Sequence, residues 1–187
     1  MSRRRNSISI LTKADALEEN KDHANRAFTP PPTIGARPVN IAVIADTHDR
    51  LPPGLIDSLR GADEIWHLGD VCDPSVLTEI EGCGAPVFVV RGNCDGQLAW
   101  PLTRRLERNG RSFLLIHIPP RSVPSGADAV LHGHTHVPRD EVVEGVRFLN
   151  PGCVTRPNRG APPSTAWLRV SPSGEIEWSL HPLSAGH

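Results

Sequence analysis

The sequence lacks an excess of charge of either sign, since 20 lysines and arginines nearly balance 21 aspartates and glutamates and leave a formal net charge of −1 at pH 7. It also lacks an apolar run long enough to span a membrane. A balanced charge gives no broad positive field for a nucleic-acid backbone or an acidic membrane surface. We therefore expect neither a membrane protein nor a nuclease of the double-strand-break repair type, which would need a basic stripe for the duplex.

Cysteine is also scarce. The four cysteines are Cys72, Cys83, Cys94 and Cys153. They have neither the paired spacing of a zinc site nor the density of a disulfide scaffold, so we expect a reducing, cytoplasmic location. The arginines at 3–5 resemble the start of a twin-arginine export signal, but residues 7–11 are too few and too polar for the apolar region of such a signal.

Residues 1–37 differ in composition from the rest of the chain. They are basic and polar, show no sustained periodicity and end shortly after the triple proline at 30–32. We predict a disordered extension there, with a docking segment as the alternative. The remaining residues, 38–187, suit a single domain that buries a substantial core.

Apolar runs predict the strands of an α/β fold. The runs that we assign to strands of a sheet with parallel pairs are 41–45, 64–68, 86–90, 113–118 and 129–131. Between them, Asp73 before Pro74 predicts a helix start that leads into residues 75–80. The hairpin-like runs that we assign to antiparallel strands of a second sheet are 141–149, 166–171 and 175–180.

Metal-capable side chains follow the ends of these predicted strands. They are Asp46, His48, Asp70, Asn93, His117, His134 and His136. In open α/β sheets, the loops beyond the carboxyl ends of strands converge on one crevice. A mixed set of carboxylates, imidazoles and an amide suits transition metals better than calcium or magnesium. Two divalent ions would outweigh the charge of the two aspartates, so the site would attract a phosphate anion.

These residues fall in motifs that resemble a known family. The motifs, in chain order, are Asp46-Thr47-His48, Gly69-Asp70, Gly92-Asn93-Cys94-Asp95, His117, Gly133-His134-Thr135-His136 and Asn150-Pro151-Gly152. This order resembles the calcineurin-like metallophosphoesterases, in their small single-domain phosphodiesterase branch. The match covers roughly residues 40–180, and several motifs in order on predicted strand ends are far more specific than any one alone.

The resemblance implies an α/β fold of the metallo-dependent phosphatase type, a four-layer α/β/β/α sandwich of two mixed sheets flanked by helices. It also implies two metal ions, with manganese favoured and iron, zinc or nickel as alternatives. By position, the ligands of one ion would be Asp46, His48 and His136, and those of the other Asn93, His117 and His134, with Asp70 bridging both. A hydroxide between the ions would attack a phosphate ester, more readily a diester than a monoester. Asp70, Asn93 and His134 are the catalytic candidates of this centre.

Two features depart from the family pattern. Cys94 stands where many relatives carry a histidine that assists the leaving group, and a thiol is a poorer acid at neutral pH, so we expect faster hydrolysis of esters with good leaving groups. Cys94 and Asp95 are candidates for contact with the metal ligands rather than with metal. After His117, the prolines at 119 and 120 exclude the usual helix and predict a loop.

The remaining alternatives concern roles that the motifs do not assign. We expect His132 and His67 to be structural rather than metal-binding, and no substrate-binding residue is identified. The expected partner is a small phosphate ester, and a homo-oligomer is compatible with the sequence. The alternative function is a non-catalytic protein-binding scaffold, as in the retromer subunit of the same fold. The intact ligand set argues against it, because a scaffold has no physical need to keep these side chains together.

Overall fold

The computed structural model describes residues 37–183, which form two five-stranded sheets and two short helices. The predicted N-terminal extension, residues 1–37, lies outside the described residues except for Arg37. Within the described range, none of the helices has the length and apolar character needed to cross a membrane.

The strands of the first sheet are β1 (Val39–Ile44), β2 (Glu64–His67), β3 (Val87–Val89), β9 (Ser164–Val170) and β10 (Ile176–Pro182). Their order across the sheet is β10-β9-β1-β2-β3, with β1, β2 and β3 parallel and β9 antiparallel to both β1 and β10. Ile41 and Val43 of β1 enter the core between the sheets, whereas Ala42 and Ile44 enter the opposite core. Burial on both faces explains why the run from residue 41 is almost continuously apolar.

Two helices, α1 (Leu55–Ser58) and α2 (Ser75–Glu81), pack against the outer face of the first sheet. Helix α2 begins at Ser75, as the sequence predicted. The carboxylate of Asp73 accepts the N–H of Ser75 at 2.8 Å and so supports this end of the helix. The side chains that α2 buries against the sheet are Val76, Leu77 and Ile80.

The strands of the second sheet are β4 (Thr103–Arg108), β5 (Arg111–Ile116), β6 (Ala129–Leu131), β7 (Arg139–Val143) and β8 (Val146–Asn150). Their order is β4-β5-β6-β8-β7, with β6 parallel to both neighbours. Val123 and Ala127, from the loop after β5, pack on Leu114 and Val130 of the outer face. Residues 117–128 contain no helix, as the adjacent prolines predicted. The α/β fold with two mixed sheets is confirmed. Among the described residues both helices lie on the first sheet, whereas a loop covers the outer face of the second sheet where the four-layer sandwich was expected to have helices.

Three details of the predicted sheets are wrong. The runs 113–118 and 129–131 form β5 and β6 of the second sheet rather than strands of the first. The β9–β10 hairpin belongs to the first sheet rather than the second, because β9 pairs along β1 and sends Leu168 and Val170 into the core between the sheets. Strand β4 is not among the predicted strands, since its sequence is mostly charged. Its Arg108 nevertheless pairs with Glu64 at 2.7 Å and lies over the ring of Phe88, so this polar strand covers the core edge with arginine side chains.

Candidate metal centre

Three candidate ligands follow the first two parallel strands. Asp46 and His48 follow β1, and Asp70 follows β2. Backbone hydrogen bonds continue the pairing of these strands into the loops, because the N–H of Asp46 donates to Gly69 O and the N–H of His48 donates to Asp70 O, both at 3.0 Å. All three candidates have left-handed backbones, with φ values of 59°, 44° and 55°. Such conformations cost non-glycine residues free energy, so the surrounding contacts must hold these residues in place.

The loop after β3 carries Asn93 and approaches Asp70 closely. In this loop, Oδ2 of Asp95 accepts the N–H of Asp70 at 3.1 Å and that of Gly92 at 2.6 Å. Its Oδ1 accepts the N–H of Cys72 at 2.8 Å. A Cβ at Gly92 would overlap Oδ1 and the backbone nitrogen of Asp70, so only glycine fits there. Asp95 therefore joins the loops after β2 and β3 and positions Asp70.

The second sheet brings three histidines to the same place. His117 follows β5, and His134 and His136 follow β6. The last two also have left-handed backbones, with φ values of 68° and 57°. The backbone N–H of His134 donates to Oδ2 of Asp46 at 3.2 Å. This hydrogen bond connects the two sheets directly at the site.

The seven candidate side chains converge as two linked groups. In the first group, Nε2 of His136 lies 3.4 Å from Nε2 of His48 and 3.4 Å from Oδ1 of Asp46. Asp46 is fully buried, and its backbone carbonyl accepts hydrogen bonds from Oγ1 of Thr155 at 2.9 Å and Sγ of Cys153 at 3.2 Å. The position of this carboxylate is therefore fixed from both its side chain and its backbone.

In the second group, Oδ1 of Asn93 lies 3.0 Å from Nε2 of His117 and 2.9 Å from Nδ1 of His134. Asp70 connects the two groups. Its Oδ1 lies 3.4 Å from Nε2 of His117 in the second group. A ligand atom of Asp70 also lies within 4.8 Å of one from Asp46 in the first group and of one from His117. The structure therefore brings together all seven side chains that the sequence singled out.

Two of the histidines are oriented by backbone carbonyls. Nδ1–H of His117 donates to Leu68 O at 2.8 Å, and Nδ1–H of His136 donates to Arg156 O at 2.6 Å. With the proton held on Nδ1, the lone pair of Nε2 faces the cluster in both rings. Metal-binding histidines in proteins are typically oriented by such a hydrogen bond from the other ring nitrogen.

Burial determines the charge of the site. Desolvation raises the pKa of Asp46 to about 6 and lowers the pKa values of His48 and His134, so these two imidazoles are neutral at pH 7. Desolvation also acts to raise the pKa of Asp70, but the nearby His117 ring and the hydrogen bond from the N–H of Cys94 outweigh it and bring this pKa below its usual value. Neutral imidazoles beside buried carboxylates form a donor set that a divalent cation would stabilise, and the residues therefore fit a metal centre.

The motifs that carry these side chains match a known family. The sequence model of the calcineurin-like phosphoesterase superfamily domain matches residues 39–173. This chain belongs to that superfamily. A protein of Methanothermobacter thermautotrophicus with the name probable metallophosphoesterase is 37% identical over 148 residues, which cover 70% of this chain and 85% of that protein.

Solved structures of the calcineurin-like phosphoesterase fold resemble this chain as well. An archaeal phosphodiesterase has a TM-score of 0.64 at 24% identity and covers 76% of this chain and 100% of its own. Vps29 from Cryptosporidium parvum has a TM-score of 0.64 at 19% identity and covers 80% of this chain and 100% of its own. Because both structures are less than 25% identical in sequence to this chain, they support the assignment of its fold alone.

Two further histidines of this phosphoesterase domain are packed inside the protein beside the site. His132 is buried, its Nδ1 lies 3.2 Å from Nδ2 of Asn150, and burial lowers its pKa to about 4. His67 is also buried, its Nδ1 accepts the N–H of Gly69 at 3.2 Å, and its Nε2 lies 3.1 Å from Oγ1 of Thr47. Burial lowers the pKa of His67 to about 3. Both rings support the turns that carry the candidate ligands.

Sequence reasoning missed Cys72 and Cys153, which lie at the site together with Cys94. A ring nitrogen of His48 lies within 4.8 Å of the sulfur atoms of Cys72 and Cys94. The sulfur of Cys153 lies within the same distance of ring nitrogens of His48 and His136. Their spacing in the sequence gives no sign of this, because the contacts join loops that are distant in the chain. All four cysteines are free thiols.

Proposed function

We propose that this chain hydrolyses small phosphodiesters at a centre of two divalent transition metal ions, with manganese as the preferred ion. The observation that carries the proposal is the pair of donor groups joined by Asp70, one around His48 and His136 and the other around Asn93 and His134. Two adjoining donor sets suit two cations, and imidazoles hold cations without cancelling their charge. Such a centre attracts an anionic ester.

The division of ligands follows the two groups. The residues that would hold one ion are Asp46, His48 and His136, and those that would hold the other are Asn93, His117 and His134, with Asp70 between them. When bound, such ions lower the pKa of water and neutralise charge on the phosphate oxygens. Asp95 holds Asp70 in place through the backbone, so this carboxylate needs no rearrangement when substrate binds.

The preference for diesters rests on Cys94. This residue is exposed beside Asn93, whose amide donates to its sulfur at 3.4 Å. Desolvation raises the pKa of the thiol, and hydrogen bonding and charge from Asp70 raise it further. A thiol that retains its proton is a poor general acid, so leaving groups that need no proton are favoured. We also propose a cytoplasmic location, since a reducing compartment preserves four free thiols.

Hydrolysis of bis-p-nitrophenyl phosphate in the presence of Mn²⁺ tests the proposal. We expect Asp70→Asn and His136→Ala to lower kcat/KM by about 10²-fold or more, because each displaces a donor from the centre. Asp57→Asn is the matched control, since this exposed carboxylate on α1 pairs only with Arg60 among the described residues. Rates that stay at the wild-type level in both site variants would reject the proposal.

The second candidate function is a protein-binding scaffold. We consider it because the fold also resembles that of Vps29. The convergence of all seven candidate ligands argues against it. Metal content alone is compatible with both functions, whereas hydrolysis that depends on Asp70 is compatible only with an enzyme. A metal-loaded protein that leaves every phosphodiester intact would favour the scaffold.

A further inference from the structure

An apolar cleft of about 440 Å³ lies beside the candidate metal ligands Asn93 and His117, which form part of its lining. Its apolar lining consists of Leu102, Ile116 and Ile118. The volume lies within the range of roughly 300–1,000 Å³ that is usual for small-molecule sites. A molecule bound at the metal centre would therefore reach this cleft directly.

The rim of this cleft exposes large apolar side chains. Leu102 is 60% exposed and Ile118 is 49% exposed, and both rank among the few large exposed hydrophobic residues of the described chain. Single exposed apolar residues are common on protein surfaces and need no explanation. Two of them around one concavity next to a candidate active site indicate a binding surface.

The cleft is also held in shape without a ligand. The N–H of Arg91 donates to Pro101 O at 2.8 Å and its guanidinium donates to Leu98 O at 3.4 Å, so the segment before Leu102 is anchored. On the other side, Thr103 of β4 pairs with Ile116 of β5. The prolines that follow Ile118 restrict the backbone there. A preformed cleft loses little conformational entropy when it binds a ligand.

We propose that this cleft binds an apolar group, aryl or alkyl, on one oxygen of the phosphate, so that the substrates are diesters with one apolar alcohol. The inference rests on the proposed function for the position of the phosphate. Apart from Arg91, Thr103 and the candidate ligands Asn93 and His117, the cleft wall offers little to a polar substituent, which would lose hydrogen bonds to water there. An apolar substituent instead gains about fourfold in affinity for each methylene that it buries.

Binding of benzyl alcohol to the metal-free protein tests the cleft without any reaction. We expect saturable shifts of the NMR methyl signals of Leu102, Ile116 and Ile118. Leu102→Ser should weaken this binding about tenfold or more, because it removes a wall of the cleft. Val142→Ser is the matched control, since Val142 is 66% exposed on β7 and lines no part of the cleft. Unshifted signals, or equal affinity in Leu102→Ser, would overturn the proposal.

Hydrolysis of a series of diesters separates this inference from the proposed function. Methyl, butyl and benzyl p-nitrophenyl phosphates share one leaving group and differ in the second substituent. We expect KM to fall along the series in the wild type and in Val142→Ser, and to change little in Leu102→Ser. Equal KM values for all three esters would overturn the proposal that the cleft binds the apolar substituent, but they would be compatible with the proposed phosphodiesterase activity. If benzyl alcohol binds but none of the esters is hydrolysed, the proposed phosphodiesterase activity is rejected, whereas the binding of apolar groups in the cleft is supported.

A second copy of the chain is the competing occupant of an exposed apolar cleft. Sedimentation of wild type and Leu102→Ser decides between the two. The proposal expects the same oligomeric state in both proteins. A wild-type dimer that becomes a monomer in Leu102→Ser would assign the cleft to a protein interface and overturn the proposal.

Discussion

Replacing Gly92 with alanine tests how tightly the loops after β2 and β3 fit together. The new Cβ would overlap Oδ1 and the backbone nitrogen of Asp70 and would lie 2.9 Å from its Cγ. Neither loop can yield easily, because Asp95 accepts the N–H groups of both residues. The overlap must therefore move backbone, and Asp70 moves with it.

The expected magnitude follows from this displacement. Forcing a methyl into a filled space costs about 1–3 kcal/mol of unfolding free energy. A shift of about 1 Å in a group that binds the reacting centre costs on the order of 10²-fold in rate. We expect Gly92→Ala to remain folded, to bind Mn²⁺ more weakly, and to lose about that factor in kcat/KM for bis-p-nitrophenyl phosphate.

Gly84→Ala is the matched control for this variant. Gly84 has a φ of 84° in the turn after α2, and a Cβ there would meet no atom within 4 Å. Left-handed strain should cost about 1–2 kcal/mol without affecting the site. The two variants should therefore lose similar stability, measured by urea unfolding, and differ in rate. Wild-type kcat/KM and metal affinity in Gly92→Ala would refute the reasoning.

Three further predictions concern stability and the support of the site. Asn150→Ala removes donors to Gly133 O and Thr135 Oγ1, at 3.1 and 3.0 Å, and should weaken metal binding by about 10–100-fold in a calorimetric titration. The pKa of Asp63 is lowered, first by the N–H of Asn40, so its contribution to stability is present above its ordinary pKa of 3.8 and disappears as the pH falls through the folded value. Asp63→Asn should therefore lower the unfolding free energy by about 1–2 kcal/mol at pH 7 and by progressively less as the pH falls below 3.8, and a loss that does not shrink with falling pH would contradict this. Leu131→Ala, in the core between the sheets, should cost about 2–5 kcal/mol in urea unfolding, and a loss below 1 kcal/mol would contradict its burial.

The sequence predicted the positions of the candidate ligands because each motif follows an apolar run. A strand end is a local feature, and parallel strands place their carboxyl ends at the same edge of a sheet. Asp46 and Asp70 could thus be brought together from sequence alone. The left-handed backbone at these two residues was not predicted, because it depends on hydrogen bonds between loops that are distant in the chain.

The errors have physical causes of the same kind. Alternation of apolar residues in β9 indicates that one face of the strand is buried but does not show which sheet the strand joins. Strand β4 was missed because Arg104 and Arg108 look solvent-exposed in the sequence, whereas their guanidinium groups lie over the ring of Phe88. The approach of Cys72 to His48 likewise depends on tertiary packing alone.

Anomalous diffraction from crystals soaked in Mn²⁺ tests the central claim most directly. The account predicts two manganese peaks on either side of the Asp70 carboxylate, one contacted by His48 and His136 and the other by Asn93 and His134. A single peak, or peaks that leave Asp70 without contact, would contradict a centre of two metal ions.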